Sequence, residues 1–95
     1  MITINAIRRD KEGKSSSRRL RLSNKFPAIL YCSLTSNICI ELDHNIIFNT
    51  MINFNVYKEK LLLIIDKIEY NVKIQSIQHH AFKPKILHMD FAQIL

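Results

Sequence analysis

Three histidines and one carboxylate lie close together near the end of this 95-residue chain, at His79, His80, His88 and Asp90. Imidazole and carboxylate groups bind zinc or iron and exchange protons, so one hypothesis is a metal site or an acid/base site. Adjacent strand residues point to opposite faces, so His79 and His80 cannot both approach the His88-x-Asp90 pair. Two alternatives stay open: exposed polar residues without a role, or hydrogen-bonding groups that read the base edges of a nucleic acid.

No serine or cysteine has the sequence context of a catalytic nucleophile. The serine run 15–17 lacks a Gly-x-Ser-x-Gly motif, and Cys32 has no histidine near it in sequence. Gly13 is the one glycine, so the chain cannot build a phosphate-binding glycine loop or a dinucleotide fingerprint. Cys32 and Cys39 lack a Cys-x-x-Cys spacing, and we interpret both as small buried apolar residues in a reducing compartment. The sequence therefore predicts a protein that is not an enzyme.

The formal net charge of +6 lies entirely in the first 25 residues. The basic residues there are accompanied by Asp10 and Glu12 alone, whereas residues 26–95 carry six lysines and six acidic residues. Like charges in one segment repel each other and do not help folding, so this distribution indicates a polyanionic partner. A solvated basic tail without a specific partner is the alternative. The basic residues are Arg8, Arg9, Lys11, Lys14, Arg18, Arg19, Arg21 and Lys25.

Length and composition predict one small soluble domain that spans residues 1–95. The apolar content of 47% argues against a disordered chain. No apolar run approaches the roughly 20 residues that a membrane-spanning helix needs, so we expect no membrane association. Charged residues begin at Arg8, so we expect no secretory signal and a cytoplasmic location.

The first part of the chain is predicted to contain three strands and one short helix. Apolar and polar residues alternate over residues 2–6, which is typical of a half-buried strand. Residues 10–24 are predicted to form a basic loop followed by a two-turn helix that a serine caps. The apolar run 28–32 and the alternating residues 38–42 predict a hairpin.

The second part is predicted to contain a helix and three further strands. Asp43 is a good cap for a helix over residues 44–52. Residues 54–65 and 68–77 predict two long strands that flank an Asp66-Lys67 turn, where Asp-Gly would be the usual pair. The last strand alternates, with Leu87, Met89 and Phe91 on one face and His88, Asp90 and Gln93 near the other.

The predicted fold is a mainly β, six-stranded closed β-barrel with two to three short α-helices. A small sheet with this many strands usually removes its edges by closing into a barrel. Val72 and Ile74 are two residues apart, so they lie on the same face of a strand, whereas Ile77 falls on the opposite face by simple alternation. Either Ile77 points outward, or a bulge near Gln75-Ser76 adds one residue and turns Ile77 inward. We expect Gln75 and Gln78 to lie at the surface.

Longer motifs along the chain are more specific than any of these patterns. In the first part they are Asn5-Ala6, Gly13-Lys14, Ser17-Arg18-Arg19-Leu20-Arg21, Asn24-Lys25-Phe26-Pro27-Ala28-Ile29 and Tyr31. In the second part they are Ile40-Glu41-Leu42-Asp43-His44, Val72-Lys73, Gln75, Gln78, His80, Lys83-Pro84-Lys85 and His88-x-Asp90-Phe91. Nearly end to end, this pattern closely resembles the family of bacterial large-subunit ribosomal protein twenty-five, in its short single-domain form.

The resemblance implies a structural component of the large (50S) ribosomal subunit that binds 5S ribosomal RNA at loop E, an irregular helix of non-Watson–Crick pairs with a widened groove. It implies a monomer when free, located on the cytoplasmic ribosome, with no cofactor bound by the protein alone and Mg²⁺ at the RNA interface as an open alternative. The basic segment would contact phosphates and the barrel face would read bases. The implied RNA-binding residues are Arg9, Lys14, Ser17, Arg18, Arg19, Arg21, Tyr31, Gln75, Gln78, His88 and Asp90.

Asp90 is the residue of this set that a simple charge argument does not explain. Phosphates repel a carboxylate, so we expect Asp90 to accept from base amino groups, orient a basic side chain or help hold a metal ion. The chain departs from the family at Cys32 and Lys67, where glycine is common, and at Ser76, where aspartate is common. The alternative function is a small regulatory module that binds an acidic protein through residues 8–25.

Overall fold

The computed structural model describes residues 1–9, 23–33 and 35–94. In chain order the elements are β1 (Ile2–Arg8), β2 (Lys25–Tyr31), β3 (Ile38–Asp43), α1 (His44–Asn53), β4 (Leu61–Ile65), β5 (Ile68–His79) and β6 (Ile86–Gln93). The strands close into a barrel in the order β1-β3-β2-β6-β5-β4. The pairs β1–β4 and β2–β6 are parallel, and the other neighbours are antiparallel. The six-stranded closed barrel that the sequence predicts is confirmed.

The part of the chain that the structure describes contains one helix, whereas two to three were predicted for the whole chain. The basic loop and helix predicted over residues 10–24 lie outside the described residues up to residue 22, and Ser23 and Asn24 form a turn. In the part of the chain that the structure describes, no helix is long and apolar enough to cross a membrane.

Alternate side chains of the strands point inward and fill the barrel with apolar groups. The predicted hairpin is confirmed as β2 and β3, which pair from Lys25 with Asp43 to Leu30 with Ile38. Complete burial of one such leucine, isoleucine or phenylalanine stabilises the fold by about 1.5–3 kcal/mol. The largest fully buried side chains are Phe26, Phe91, Leu30, Ile40, Leu42, Leu63, Ile65, Ile86, Met89 and Val72.

Helix α1 begins directly after β3, as the capping signal predicts. The Asp43 carboxylate accepts hydrogen bonds from the backbone N–H groups of Asn45 at 2.9 Å and Ile46 at 3.2 Å. These bonds satisfy donors that have no partner within the helix. The helix ends at Asn53, one residue beyond the predicted bound.

His44, the first residue of α1, ties the helix to the start of β6. Its Nε2 accepts a hydrogen bond from the backbone N–H of Ile86 at 3.0 Å. The ring stacks on Phe48 at a centroid distance of 5.5 Å and meets Phe26 edge-on at 6.0 Å. Burial lowers the pKa of His44 from its usual value of 6.5, and the positive charge of Lys85 lowers this pKa further, against the opposing effect of Asp43. His44 therefore acts as a neutral acceptor in the folded protein.

The predicted strand over residues 54–65 is wrong in its first half. β4 begins only at Leu61, and the segment before it forms turns. The Asn55 side chain accepts from the N–H of Tyr57 at 3.2 Å, and its carbonyl accepts from the N–H groups of Lys58 and Glu59. Side-chain bonds of this kind offer the backbone an alternative to a sheet ladder, which explains the late start of the strand.

The turn predicted at Asp66-Lys67 joins β4 to β5. Both residues have positive φ angles, 51° at Asp66 and 66° at Lys67. Two left-handed residues in a two-residue hairpin loop match the right-handed twist of the strands, and glycine is usual at the second position. Lys67 therefore adopts a conformation that its side chain disfavours.

Candidate nucleic-acid interface

The outer surface of β2, β5 and β6 carries opposed polar residues. Gln78 of β5 pairs with His88 of β6, and Ser76 pairs with Asp90. β2 lies on the other side of β6 and presents Tyr31, which is 37% exposed. The structure thus brings together all barrel-face residues that the resemblance implies, although they come from three separate strands. We call this surface the polar patch, and it comprises Tyr31, Gln75, Ser76, Gln78, His88 and Asp90.

A bulge in β5 determines which of these side chains face outward. The pairing shifts by one residue between Ile74 and Ser76, so that Gln75 has no partner on β6. Ile77 consequently packs against the core, while Gln75 and Gln78 are exposed. The predicted bulge and the predicted exposure of both glutamines are confirmed.

A second irregularity lies at the start of β6. Gln78 pairs with His88 but His79 pairs with Ile86, so Leu87 is an extra residue. Ile86 is buried and Leu87 is half-buried, so the prediction that Leu87 shares the core face of the strand is wrong. The extra residue moves the inward-facing position from Leu87 to Ile86, and counting alternate residues along the sequence cannot reveal such a shift.

Asp90 occupies the middle of the polar patch and is held by two neighbours. The Ser76 hydroxyl donates to Asp90 Oδ2 at 2.5 Å, and His88 Nδ1 lies 3.4 Å from Asp90 Oδ1. The contact with His88 is an ion pair when the imidazole is protonated. Asp90 Oδ1 is buried, and no described residue donates a hydrogen bond to it. The carboxylate is therefore oriented by the protein, and Oδ2, which accepts one hydrogen bond from Ser76, has lone pairs for a further donor.

Tyr31 ends β2 at the edge of the polar patch, and Cys32 follows it. The Cys32 backbone N–H donates to the Asn37 side chain at 3.2 Å, and its Sγ lies 3.9 Å from the carbonyl oxygen of Leu30. Cys32 packs against the core, so its side chain does not crowd the exposed face of Tyr31. Neither Cys32 nor Cys39 forms a disulfide among the described residues, and both are half-buried rather than buried as predicted. Cys39 has the outward parity of β3, between the buried Ile38 and Ile40.

Only the two ends of the basic segment, residues 8–25, belong to the described residues. Arg9 donates its backbone N–H to the carbonyl of Cys39 at 2.9 Å. Lys25 Nζ lies 3.8 Å from Oε1 of Glu41. β3 lies between β1 and β2, so the basic segment connects strands on either side of β3. The implied contact residues Lys14, Ser17, Arg18, Arg19 and Arg21 lie outside the described residues.

Arg9 lies at the same level of the barrel as Asp90. Its hydrogen-bond partner Cys39 pairs with Ile29, and Ile29 pairs with Asp90. β1 and β6 are three places apart in the closed order of six strands, so Arg9 and Asp90 lie on opposite sides of the barrel. The other described end of the basic segment, Lys25, lies on β2, which pairs directly with β6.

The histidines do not assemble into the metal site considered from the sequence. His80 Nδ1 accepts hydrogen bonds from the backbone N–H groups of Phe82 at 3.1 Å and Lys83 at 3.2 Å, which shapes the β5–β6 loop. His88 contacts Asp90 alone among the acidic residues described. Within residues 1–9, 23–33 and 35–94, no group of three His, Cys, Asp or Glu side chains could hold a metal ion.

Comparison with known proteins identifies the family. The model of the Ribosomal L25p family matches residues 4–91. Over 95 residues the chain is 58% identical to large ribosomal subunit protein bL25 of Buchnera aphidicola subsp. Baizongia pistaciae, covering 99% of this chain and 98% of the relative. The chain belongs to the Ribosomal L25p family.

Two further members of the Ribosomal L25p family are similar over nearly their whole length. Large ribosomal subunit protein bL25 of Sodalis glossinidius is 50% identical over 93 residues, and that of Klebsiella pneumoniae is 47% identical over 93 residues. Each match covers 98% of this chain and 99% of the relative. The family resemblance inferred from the motifs is therefore confirmed, as is the non-enzymatic, structural class of the protein.

Two residues have roles in this Ribosomal L25p chain that sequence reasoning missed. Ser76 stood out only as a departure from the family, in which aspartate is common there, yet its hydroxyl orients Asp90. His44 was one motif residue among many, yet it anchors α1 to β6. The sequence contains a sign of this role only for Ser76, because a bulge at Gln75 puts Ser76 and Gln78 on the same outer face of β5.

Proposed function

We propose that this protein is a structural component of the large ribosomal subunit that binds 5S ribosomal RNA at loop E. It acts as a monomeric domain of residues 1–95 on the cytoplasmic ribosome. The names of its relatives support the ribosomal part of the proposal. The observation that carries the RNA-binding part is the Asp90 carboxylate, which Ser76 and His88 hold on an outer strand face.

The polar patch has the chemistry to read irregular base pairs. The Gln78 amide donates and accepts hydrogen bonds, whereas the Asp90 carboxylate only accepts, so Asp90 selects amino groups on base edges. A regular A-form major groove is too narrow for side chains, but a helix of non-Watson–Crick pairs with a widened groove admits them. A strand face with fixed polar groups therefore favours an irregular helix over a regular duplex.

The basic segment supplies the second part of the binding energy. Its formal charge of +6 attracts phosphates without regard to sequence. The Lys25 end of the segment brings this charge to β2, the strand that pairs with β6 beside the polar patch. The phosphate contacts come from Arg9, Lys14, Ser17, Arg18, Arg19 and Arg21, and the base contacts from Tyr31, Gln75, Gln78, His88 and Asp90.

The protein residues alone do not fit a Mg²⁺ site at this interface. Mg²⁺ requires six oxygen ligands in octahedral geometry. Asp90 is the single carboxylate of the polar patch, and its Oδ2 already accepts from Ser76. Any Mg²⁺ at the interface would therefore take most of its ligands from RNA phosphates and water.

Chemical probing of 5S ribosomal RNA with and without the protein tests this function. We expect protection of bases and backbone in loop E and no change in regular helices. The D90N variant should lose base protection in loop E and retain backbone protection, because the basic segment is intact. Absence of protection in loop E would contradict the proposal and would favour the alternative, an acidic protein partner.

A further inference from the structure

A second basic surface lies beside β5, away from the polar patch. The turns before β4, the outer face of β5 and the residue after β6 enclose an open groove of about 460 Å³. We call it the lysine groove. It is lined by Lys58, Lys60 and Lys73 together with Tyr57, Asn71 and Ile94.

The lysine groove concentrates positive charge in a part of the chain that is neutral as a whole. Residues 26–95 contain six lysines and six acidic residues, and three of these lysines but only Glu59 line the groove. Glu59 Oε2 lies 3.9 Å from the amino group of Met1, which offsets its charge. None of the three lysines forms an ion pair with another described residue. The lysine groove therefore has an unbalanced positive charge.

Exposed apolar groups accompany these lysines. Tyr57 is 68% exposed and Ile94 is 49% exposed. Positive charge along a groove with a tyrosine hydroxyl beside it suits a phosphate backbone, whose oxygens pair with lysines and accept hydrogen bonds from hydroxyl groups. An acidic peptide would satisfy the same charges, and the test below separates it from RNA.

The lysine groove and the polar patch lie along the same strand face. Lys73 and Ser76 both point outward from β5, and three residues of a strand separate them, a distance of about 10 Å. An RNA helix that covers the polar patch and extends along β5 would therefore meet Lys73 first and then the other two lysines.

We propose that the lysine groove binds the phosphate backbone of the RNA segment that continues beyond the polar patch. This inference rests on the proposed RNA-binding function and extends its interface beyond the set of residues that the family resemblance implies. The lysines act as point charges, so they strengthen binding without selecting a sequence.

Salt dependence of RNA binding tests the inference, because each lost phosphate contact lowers the slope of log affinity against log salt by about 0.7–0.9. The variants are K73Q and the double variant K58Q/K60Q, and the matched control is K67Q, which removes a lysine at the far end of the same hairpin. All four lysines are exposed, so the folded state is retained. The probes are a 5S ribosomal RNA fragment with loop E plus long flanking helices, and a fragment trimmed close to loop E.

On the long fragment, we expect K73Q to lower the slope of log affinity against log salt by the amount of about one phosphate contact, and K58Q/K60Q by the amount of about two. K67Q should leave the slope unchanged. The effect of K58Q/K60Q should disappear on the trimmed fragment. Equal slopes for all variants and wild type on the long fragment would overturn the inference. Loss of polyglutamate binding by the groove variants, with RNA binding intact, would also overturn it.

The preference of the wild-type protein for loop E over a regular duplex is measured separately. Its absence, with the groove variants still lowering the slope, would refute loop E recognition but support the groove.

Discussion

The hydroxyl of Ser76 donates to Asp90 Oδ2 at 2.5 Å across β5 and β6. This bond exists because the bulge at Gln75 shifts the pairing by one residue and sets Ser76 directly opposite Asp90. Without the bulge, Gln75 would pair with Asp90, and Ser76 would pair with the buried Met89 and point toward the core. An irregularity in the ladder thus fixes the one carboxylate of the polar patch.

Asp90 contributes selectivity and opposes non-specific binding. Replacing it in D90N keeps an oxygen that accepts from Ser76 but removes the negative charge. We expect the preference for loop E to fall by about 1–3 kcal/mol, or 5- to 150-fold, because a base amino group loses its charged acceptor. Affinity for a regular duplex should rise slightly at low salt, because phosphates no longer meet a carboxylate. The measurement is a pair of titrations against both RNAs.

The control for D90N is E69Q, which neutralises an exposed carboxylate of β5 outside the polar patch. It should change affinity for both RNAs equally. If D90N also changed the affinity for both RNAs equally, Asp90 would act only through its charge.

His44 makes folding stability depend on pH. The folded protein lowers the pKa of His44 below its usual 6.5. Above pH 6.5, His44 is neutral in both states and adds no pH dependence. As the pH falls below 6.5, the unfolded chain binds a proton that the folded chain resists, so stability decreases until the lower folded pKa is reached. Urea unfolding of wild type and H44Q between pH 7.5 and 5 should show a steeper loss for wild type. Parallel curves would contradict this role for His44.

Two phenylalanines provide a matched test of the core. Phe91 is 0% exposed in β6, whereas Phe82 is 94% exposed in the β5–β6 loop. We expect F91A to lower the free energy of unfolding by about 3–5 kcal/mol, because it leaves a cavity inside the barrel. F82A should change it by less than about 0.5 kcal/mol. Urea unfolding of both variants checks the assignment, and similar losses would place Phe82 in the core.

The Asp66-Lys67 turn can be stabilised by glycine. Lys67 has a φ of 66°, which costs a residue with a Cβ about 1–2 kcal/mol and costs glycine nothing. The greater freedom of glycine in the unfolded chain offsets part of this gain. We expect K67G to raise the free energy of unfolding by about 1 kcal/mol in urea denaturation. A loss of stability would show that the Lys67 side chain makes compensating contacts.

The sequence predicts the barrel because alternation of apolar residues has a physical cause. Ile38, Ile40 and Leu42 all face the core, since successive strand residues point to opposite sides. The same rule located the bulge at Gln75, because Ile74 and Ile77 are three residues apart and can both face the core only if the strand contains an extra residue. It failed for Leu87, because there the extra residue moves the core position to Ile86 without disturbing the later alternation.

Local competition and long-range pairing explain the other differences. Residues 54–60 contain apolar residues typical of a strand, but the Asn55 side chain bonds the backbone and forms turns instead. The membership of the polar patch follows from the strand order, which places β6 between β2 and β5. Spacing along the chain does not contain that order, so only the resemblance could group Tyr31 with Asp90 in advance.

The most direct test of the account is a binding titration against two RNAs of equal length at two salt concentrations. One RNA carries loop E, and the other replaces it with a regular duplex. We predict a preference of about a thousandfold or more for loop E, with most of it kept at the higher salt, because base contacts survive where phosphate contacts weaken. Equal and strongly salt-dependent binding to both RNAs would contradict recognition by the polar patch and leave only a basic surface.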